Sequence, residues 1–223
     1  MFTTRSMSPA FVALAMLFGP ASFSVAGTGV TASRSTNDLK RLVFPEVDLV
    51  ALQARGNRVV DELAELYLRS SLPDRVAIAR VFYQLGWKSD AAKRALLEDI
   101  HTTDEALRLQ VQWALGRVSD DPDVVDILID NMRHDSNPLF RDKAACALSY
   151  DQIHLSEKQK LRLYERLIAA LSDENPQVRA IALKSLQIHT GQTKQFRYNA
   201  PPEQRDRSVR EWTQWLEDYR ASF

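Results

Sequence analysis

A twelve-residue pattern that recurs along the chain constrains its fold more than any other feature. The pattern Asn-Pro-x-x-Arg-x-x-Ala-x-x-x-Leu stands at 137–148 and again at 175–186. A third copy, at 104–115, lacks the proline, and a weaker fourth copy ends at Leu85. The final leucines of successive copies lie 30, 33 and 38 residues apart. Periods of this size are typical of stacked helical repeats.

Each copy follows a second stretch with apolar residues at helical spacing, so the chain divides into pairs of helices. Asn137-Pro138 and Asn175-Pro176 place a capping side chain before a proline that suits the first helical turn. One pair cannot bury its apolar face alone, and stacking against its neighbours completes the core. We therefore predict an all-α fold, a short α-solenoid of about four helix pairs with a C-terminal capping helix. The pairs are predicted near 56–86, 90–117, 122–150 and 157–190.

The copy at 175–186 resembles the second-helix signature of HEAT repeats, and the copy at 137–148 is similar, with Phe140 in place of a valine. The resemblance covers roughly residues 56–190 and is weakest in the first pair. It implies an armadillo-type solenoid, of the kind that bacterial exported HEAT-repeat proteins contain, whose second helices line an inner face used mainly to bind proteins. Because such arrays serve many unrelated roles, the resemblance specifies the fold better than the function.

The N-terminal residues 1–26 are typical of a secretory signal peptide. Arg5 stands in a short first segment, Phe11–Phe18 is continuously apolar, and Ser24-Val25-Ala26 is a small-residue cleavage site. The apolar run is shorter than the ~20 residues of a membrane-spanning helix, so we expect cleavage after Ala26 and no membrane span afterwards. The protein is then expected to be periplasmic or secreted, with a flexible tether at 27–45.

The repeats are predicted to occupy 46–191, followed by a loop and capping helix at 192–223. An apolar stripe at helical spacing runs along the last helix through Val209, Trp212, Leu216, Tyr219 and Phe223. Terminal repeats need a cover for their exposed core, so we predict that this stripe packs on the last pair. The alternative is that the tryptophans of this helix form an exposed partner site.

Arg108, Arg141 and Arg179 occupy one equivalent position in three copies. They form either a structural ladder, in which each meets an acid such as Asp135 or Asp173, or a row of cations on the inner face that grips an acidic partner. Neighbouring positions are predicted to be solvated and better placed to contact a partner: Gln112, Lys143, Lys184 and Gln187.

The sequence contains no pattern that predicts catalysis, a cofactor or a metal. Cys146 is the single cysteine and stands in an apolar helical stretch, which indicates a small buried hydrophobe rather than a disulfide framework. The four histidines do not form the i, i+4 pair of a zinc helix. We therefore expect no catalytic residue, no metal ligand and no cofactor.

Charge separates the remaining function classes. After removal of residues 1–26, the chain would carry 28 basic and 29 acidic residues, a net of −1. Phosphate-backbone binding needs clustered positive charge, so nucleic acid is not an expected partner. The leading hypothesis is an exported scaffold that binds another protein through the inner face. The alternative is an enzyme or enzyme subunit of the HEAT-like lyase type, acting on a small-molecule or cofactor ligand, and an inner pocket that holds paired acids would favour it.

Overall fold

The computed structural model describes residues 28–223, with side chains from residue 36 onward, and in that range it contains eleven α-helices and no strand. The predicted signal peptide lies outside the described residues. The helices are α1 Thr28–Val43, α2 Leu49–Ala54, α3 Arg58–Leu68, α4 Leu72–Leu85, α5 Asp90–Leu97, α6 Glu105–Val118, α7 Pro122–His134, α8 Pro138–Tyr150, α9 Glu157–Ala170, α10 Pro176–Thr190 and α11 Pro202–Ala221.

Helices α3 to α10 form the four predicted pairs, and the prediction of an all-α solenoid is confirmed. The capping residues act as the sequence indicates. The Asn137 side chain accepts a hydrogen bond from the backbone N–H of Leu139 at 2.9 Å, and Asn175 accepts one from Gln177 at 2.9 Å. Each asparagine satisfies a backbone donor that the first helical turn leaves free.

The second helices α4, α6, α8 and α10 pack side by side in one continuous row. The seam leucines Leu115, Leu148 and Leu186 are fully buried, as are the small residues Ala144 and Ala182. Small side chains at these positions let neighbouring helices approach closely, while the leucines fill the space between the two helices of a pair. The row of second helices is the surface that presents the candidate site.

The N-terminal region differs from the prediction. Residues 27–45 were expected to form a flexible tether because they are rich in Thr and Ser, but Thr28–Val43 is helical. Leu39 and Val43 of this helix are buried, and α1 packs on α2, α3 and α4. The tether prediction is therefore wrong for the last turns of α1, because those two apolar side chains cover the open side of the first pair.

At the other end, α11 packs on α9 and covers the fourth pair. Trp212 is fully buried and Leu216 nearly so. The ring of Tyr164, on α9, meets the rings of Trp215 and Tyr219 edge-on, with centroids 5.3 and 5.4 Å apart. Trp212 thus completes a core, and Trp215 and Tyr219 are half-buried against α9.

Candidate functional site

One position of each second helix points to the same side of the solenoid. This position lies two residues before the seam leucine and is occupied in order by Tyr83, Trp113, Cys146 and Lys184, which we name the inner row. The first three are half-buried, and Lys184 is exposed. Because the repeats stack in register, the inner row follows the inner face from one repeat to the next.

A cavity of about 500 Å³ opens on this face between α4, α6 and α8. We name it the inner pocket. Its size falls within the range of about 300–1,000 Å³ that is usual for ligand sites. The residues that line it include Arg80, Tyr83, Gln84, Trp113, Tyr150 and Asp151. Three consecutive repeats therefore build one recess.

Aromatic rings form the walls of the inner pocket. The rings of Tyr83 and Trp113 are tilted by 53° with their centroids 6.3 Å apart. The guanidinium of Arg117 lies 4.5 Å from the centre of the Tyr83 ring, a cation–π arrangement that holds this ring in place. Tyr150 stands at the edge with 61% of its surface exposed. Large aromatic surface is thus available to solvent on the inner face.

The turn after α8 closes the pocket from below, and two features keep it there. A Cβ atom on Gly116 would lie 2.8 Å from the carbonyl oxygen of Asp151, so only glycine lets α6 approach this turn so closely. The His154 ring donates from Nε2 toward the carbonyl oxygens of Gly86 and Arg117, at 2.9 and 3.0 Å. The ends of three second helices are thereby tied together beneath the pocket.

Asp151 is the carboxylate of the inner pocket, and only 4% of its surface is exposed. Burial raises its pKa to about 6, while Arg117, whose Nη1 lies 3.7 Å from the carboxylate, opposes the increase. A carboxylic acid normally releases its proton well below this value. Asp151 is therefore partly protonated in mildly acidic solution.

The repeated arginines stabilise joints between repeats. Arg108 is buried, pairs with Asp135 of the next repeat and lies over the Phe140 ring with 5.1 Å to its centre. Arg141 donates to the carbonyl oxygen of Asp135 at 2.7 Å and to Gln177 Oε1 at 3.2 Å. The ladder interpretation thus describes both arginines, although Arg141 meets a carbonyl oxygen instead of a carboxylate.

Arg179 is also buried. It donates to the carbonyl oxygens of Asp173, Glu174 and Tyr198, at 2.7, 2.8 and 2.8 Å. The Asp173 carboxylate instead pairs with Arg133 at 2.8 Å. Because Arg108 and Arg179 are buried and bonded within the chain, the row-of-cations interpretation does not describe them.

Of the four positions predicted to be solvated, Lys184 and Gln187 are exposed and Lys143 is half-exposed, paired with Asp142 at 2.9 Å. The prediction is wrong for Gln112, which is fully buried. Neither its amide nitrogen nor its oxygen has a hydrogen-bond partner among residues 28–223. The sequence held a signal for this burial, because the equivalent positions in the next two copies are the apolar Ala145 and Leu183.

The pocket residues were not predicted as a site. Cys146, which the sequence predicts to be a small buried hydrophobe, is half-buried at the pocket wall, where burial raises the pKa of its thiol. The available signal was the inner row, since two successive copies carry the aromatic residues Tyr83 and Trp113 two places before the seam leucine. The sequence pattern does not predict the conformation of the turn after α8, which brings Tyr150 and Asp151 next to these two rings.

Two other features of residues 28–223 bear on the chemistry. No group of three or more His, Cys, Asp or Glu side chains in this range is arranged to hold a metal ion. Across the same residues, none of the helices has both the length and the apolar character that a membrane span requires.

Part of the chain matches a known family of repeats. A family model described as HEAT repeats matches residues 60–149. Residues 60–149 therefore consist of HEAT repeats. The matched segment contains most of the first pair, all of the second and the third up to the residue before Tyr150, so it includes most of the pair whose sequence pattern is weakest. It also contains the lining residues of the inner pocket except Tyr150 and Asp151, which follow it directly.

Two further comparisons consider the whole chain. Among solved structures, the chain is similar to the crystal structure of an engineered protein, with 12% identity and a TM-score of 0.45 over 88% of this chain and 94% of that one. No curated protein matches the chain.

Proposed function

We propose that this HEAT-repeat protein is an exported scaffold that binds another protein through the inner face of the solenoid. The observation that carries the proposal is the inner pocket, an open recess with aromatic walls. Protein interfaces concentrate their binding energy in such places, where aromatic and arginine side chains surround a recess that water can leave.

The hydrogen-bonding groups of the pocket support the same proposal. Among the described residues, the side chains of Arg80, Gln84 and Gln110 have no hydrogen-bond or ion-pair partner, and the same holds for the hydroxyl groups of Tyr83 and Tyr150. Polar side chains without internal partners are free to bond to a partner's main chain. A recess that combines these groups with exposed rings matches the usual composition of an interface core.

The proposal also includes the export of the protein from the cytosol. Residues 1–26 have the composition of a secretory signal peptide, which supports a partner in the periplasm or outside the cell. Fractionation of cells that produce the full chain, with N-terminal sequencing of the exported form, would test this step. Cleavage after Ala26 is the expected result, and retention of the whole chain in the cytosol would contradict it.

We do not propose catalysis. The alternative of an enzyme would gain support from paired acids in a ligand-sized pocket, since two carboxylates can divide the roles of acid and base. The inner pocket has the size of a ligand site, but Asp151 is the single carboxylate among its lining residues. A protein partner is therefore the better-supported occupant of this surface.

Site-specific photocrosslinking tests the proposal. A photoreactive amino acid replaces Gln84, at the pocket edge, and in a matched variant it replaces Asp130, an exposed residue on a first helix. Both variants of the full chain are irradiated in the cells that naturally make it, and the products are identified by mass spectrometry. One protein captured from position 84 and not from position 130 is the expected result. Equal capture from both positions, or no capture from position 84, would contradict binding at the inner face.

A further inference from the structure

We propose that the inner pocket receives an aromatic side chain of the partner and that carboxylates next to this side chain bind the cation at the pocket edge. This inference deepens the proposed function, because it states which kind of polypeptide segment the inner face recognises. The partner segment is then acidic, with an aromatic anchor.

The shape and walls of the pocket select the anchor. The rings of Tyr83 and Trp113 meet at a tilt, and the exposed ring of Tyr150 stands at the edge of the same recess. An aromatic ring entering between them makes edge-to-face contacts, which add to the gain from burying its surface. The guanidinium of Arg117 already lies over one face of the Tyr83 ring. A cationic side chain of the partner would therefore find that face occupied by another cation.

The charges around the pocket select the flanking residues. Asp151 is compensated by Arg117, and Asp142 is compensated by Lys143. Arg80 is exposed at the pocket edge and has no ion-pair partner among residues 28–223. The pocket therefore presents one uncompensated positive charge beside an aromatic recess.

The neighbouring inner-face charges agree with this polarity. Lys184 continues the inner row into the fourth pair, is exposed, and likewise lacks an ion-pair partner among the described residues. The nearest unpaired acid on the helix of Arg80 is Asp74, which stands in the first turn, about 9 Å away along the axis. An acid there offsets the partial positive charge of the helix N-terminus. The cations Arg80 and Lys184, which are unpaired in the described chain, thus make the inner face complementary to carboxylates.

Defined peptides test this inference. Three capped pentapeptides share a central phenylalanine and carry aspartate, asparagine or lysine on both sides of it, and a fourth has alanine between two aspartates. Each is titrated into the full chain at low salt while the indole N–H signal of Trp113 is followed by NMR, with a Trp113→Phe variant to assign that signal. Free 3-phenylpropionate, which has a ring and a carboxylate but no peptide backbone, is the fifth probe.

We expect the aspartate-flanked phenylalanine peptide to bind about three- to fivefold more tightly than its asparagine counterpart, the size of an exposed ion pair. The lysine-flanked peptide should bind most weakly, and the alanine peptide should leave the Trp113 signal unchanged. Arg80→Gln should abolish the preference for aspartate over asparagine. The matched variant Arg94→Gln, at an exposed arginine of α5 that also lacks an ion-pair partner in the described chain, should preserve it.

Four results would overturn the inference: equal or tighter binding of the lysine peptide, no effect of Arg80→Gln, an unchanged Trp113 signal with every peptide, or tighter binding of free 3-phenylpropionate than of the aspartate peptide. The last would identify a small aromatic carboxylate as the occupant. Crosslinking from position 84 reports separately on the scaffold function. If a protein is captured there while the peptides fail, only the proposed chemistry of the segment is wrong.

Discussion

The inner pocket and the C-terminal cap contain similar aromatic side chains, but only the cap has a fully buried one and a helix that packs against the others. At the cap, Trp212 is fully buried, and the rings of Trp215 and Tyr219 stack with centroids 5.4 Å apart against Tyr164 of α9. At the pocket, Tyr83 and Trp113 are half-buried and no helix of the described chain covers them. Aromatic residues at helical spacing thus complete the core in one place and remain open in the other.

The polar groups near the two aromatic clusters differ as well. The carboxyl of Asp151 at the pocket is buried, and so is the amide of Gln112, which precedes Trp113 on α6 and has no partner among residues 28–223. At the cap, the buried polar atom without a described partner is the indole nitrogen of Trp212, while Tyr219 donates to the Glu157 carboxylate at 2.6 Å. Stability is commonly sacrificed near binding surfaces, so this difference agrees with the proposed function of the pocket.

The largest expected effect comes from truncating one tryptophan in each region. Trp212→Ala should lower the free energy of unfolding by about 3–5 kcal/mol, because it removes a fully buried side chain and leaves a cavity. Trp113→Ala should cost less, because this ring is only partly buried and loses less apolar contact. Urea denaturation followed by circular dichroism measures both. A greater loss for Trp113→Ala would reverse the comparison.

Asp151→Asn tests the cost of the buried carboxyl. In the folded state the pKa is raised from 3.8 to about 6, so the folded chain holds this proton longer than the unfolded chain does. The wild-type free energy of unfolding should therefore fall as pH rises from about 4 to about 6. Asparagine should add up to about 3 kcal/mol above pH 6 and nothing below pH 4, since each pKa unit corresponds to about 1.4 kcal/mol and the increase already includes the opposing charge of Arg117. Denaturation at both pH values decides this, and an equal effect at both would exclude an ionisation cost.

Next is the close approach beneath the pocket. Gly116→Ala should destabilise the chain by about 2 kcal/mol, because the added Cβ would lie 2.6 Å from Gln152 Nε2 and 2.8 Å from the Asp151 carbonyl oxygen. The double change Gly116→Ala, Gln152→Ala removes only the side-chain clash and should restore part of the loss. Thermal melts of the three chains check this. A stability gain in Gly116→Ala would show that the turn after α8 moves freely.

The smallest expected effect concerns Gln112. Gln112→Leu should raise the free energy of unfolding by about 1 kcal/mol, because it removes two buried polar atoms that lack partners in the described chain. Gln187→Leu, at an exposed position of α10, is the matched control and should leave stability within about 0.5 kcal/mol. Paired urea titrations measure both. A loss of stability in Gln112→Leu would mean that its amide is bonded in solution.

Much of the helical organisation could be predicted, because its causes are local. Asn137-Pro138 and Asn175-Pro176 start their helices through bonds to residues two positions away, and the leucine period places the seam. The predictions that failed concern residues whose burial depends on contacts with residues far away in the sequence. Leu39 and Val43 pack although the segment before them reads as a tether, and Gln112 is buried although its side chain is polar.

The repeat, the boundaries of the paired helices and the side of each second helix that carries the inner row are specified by the sequence, because they follow from spacing along one chain. The tertiary structure alone decided which members of that row stay open. Tyr83 and Trp113 form a pocket because the turn after α8 folds beneath them, held by the close approach at Gly116 and the hydrogen bonds of His154. The exposure of a side chain depends on which other residues pack against it, and the spacing of residues along the chain does not specify those contacts.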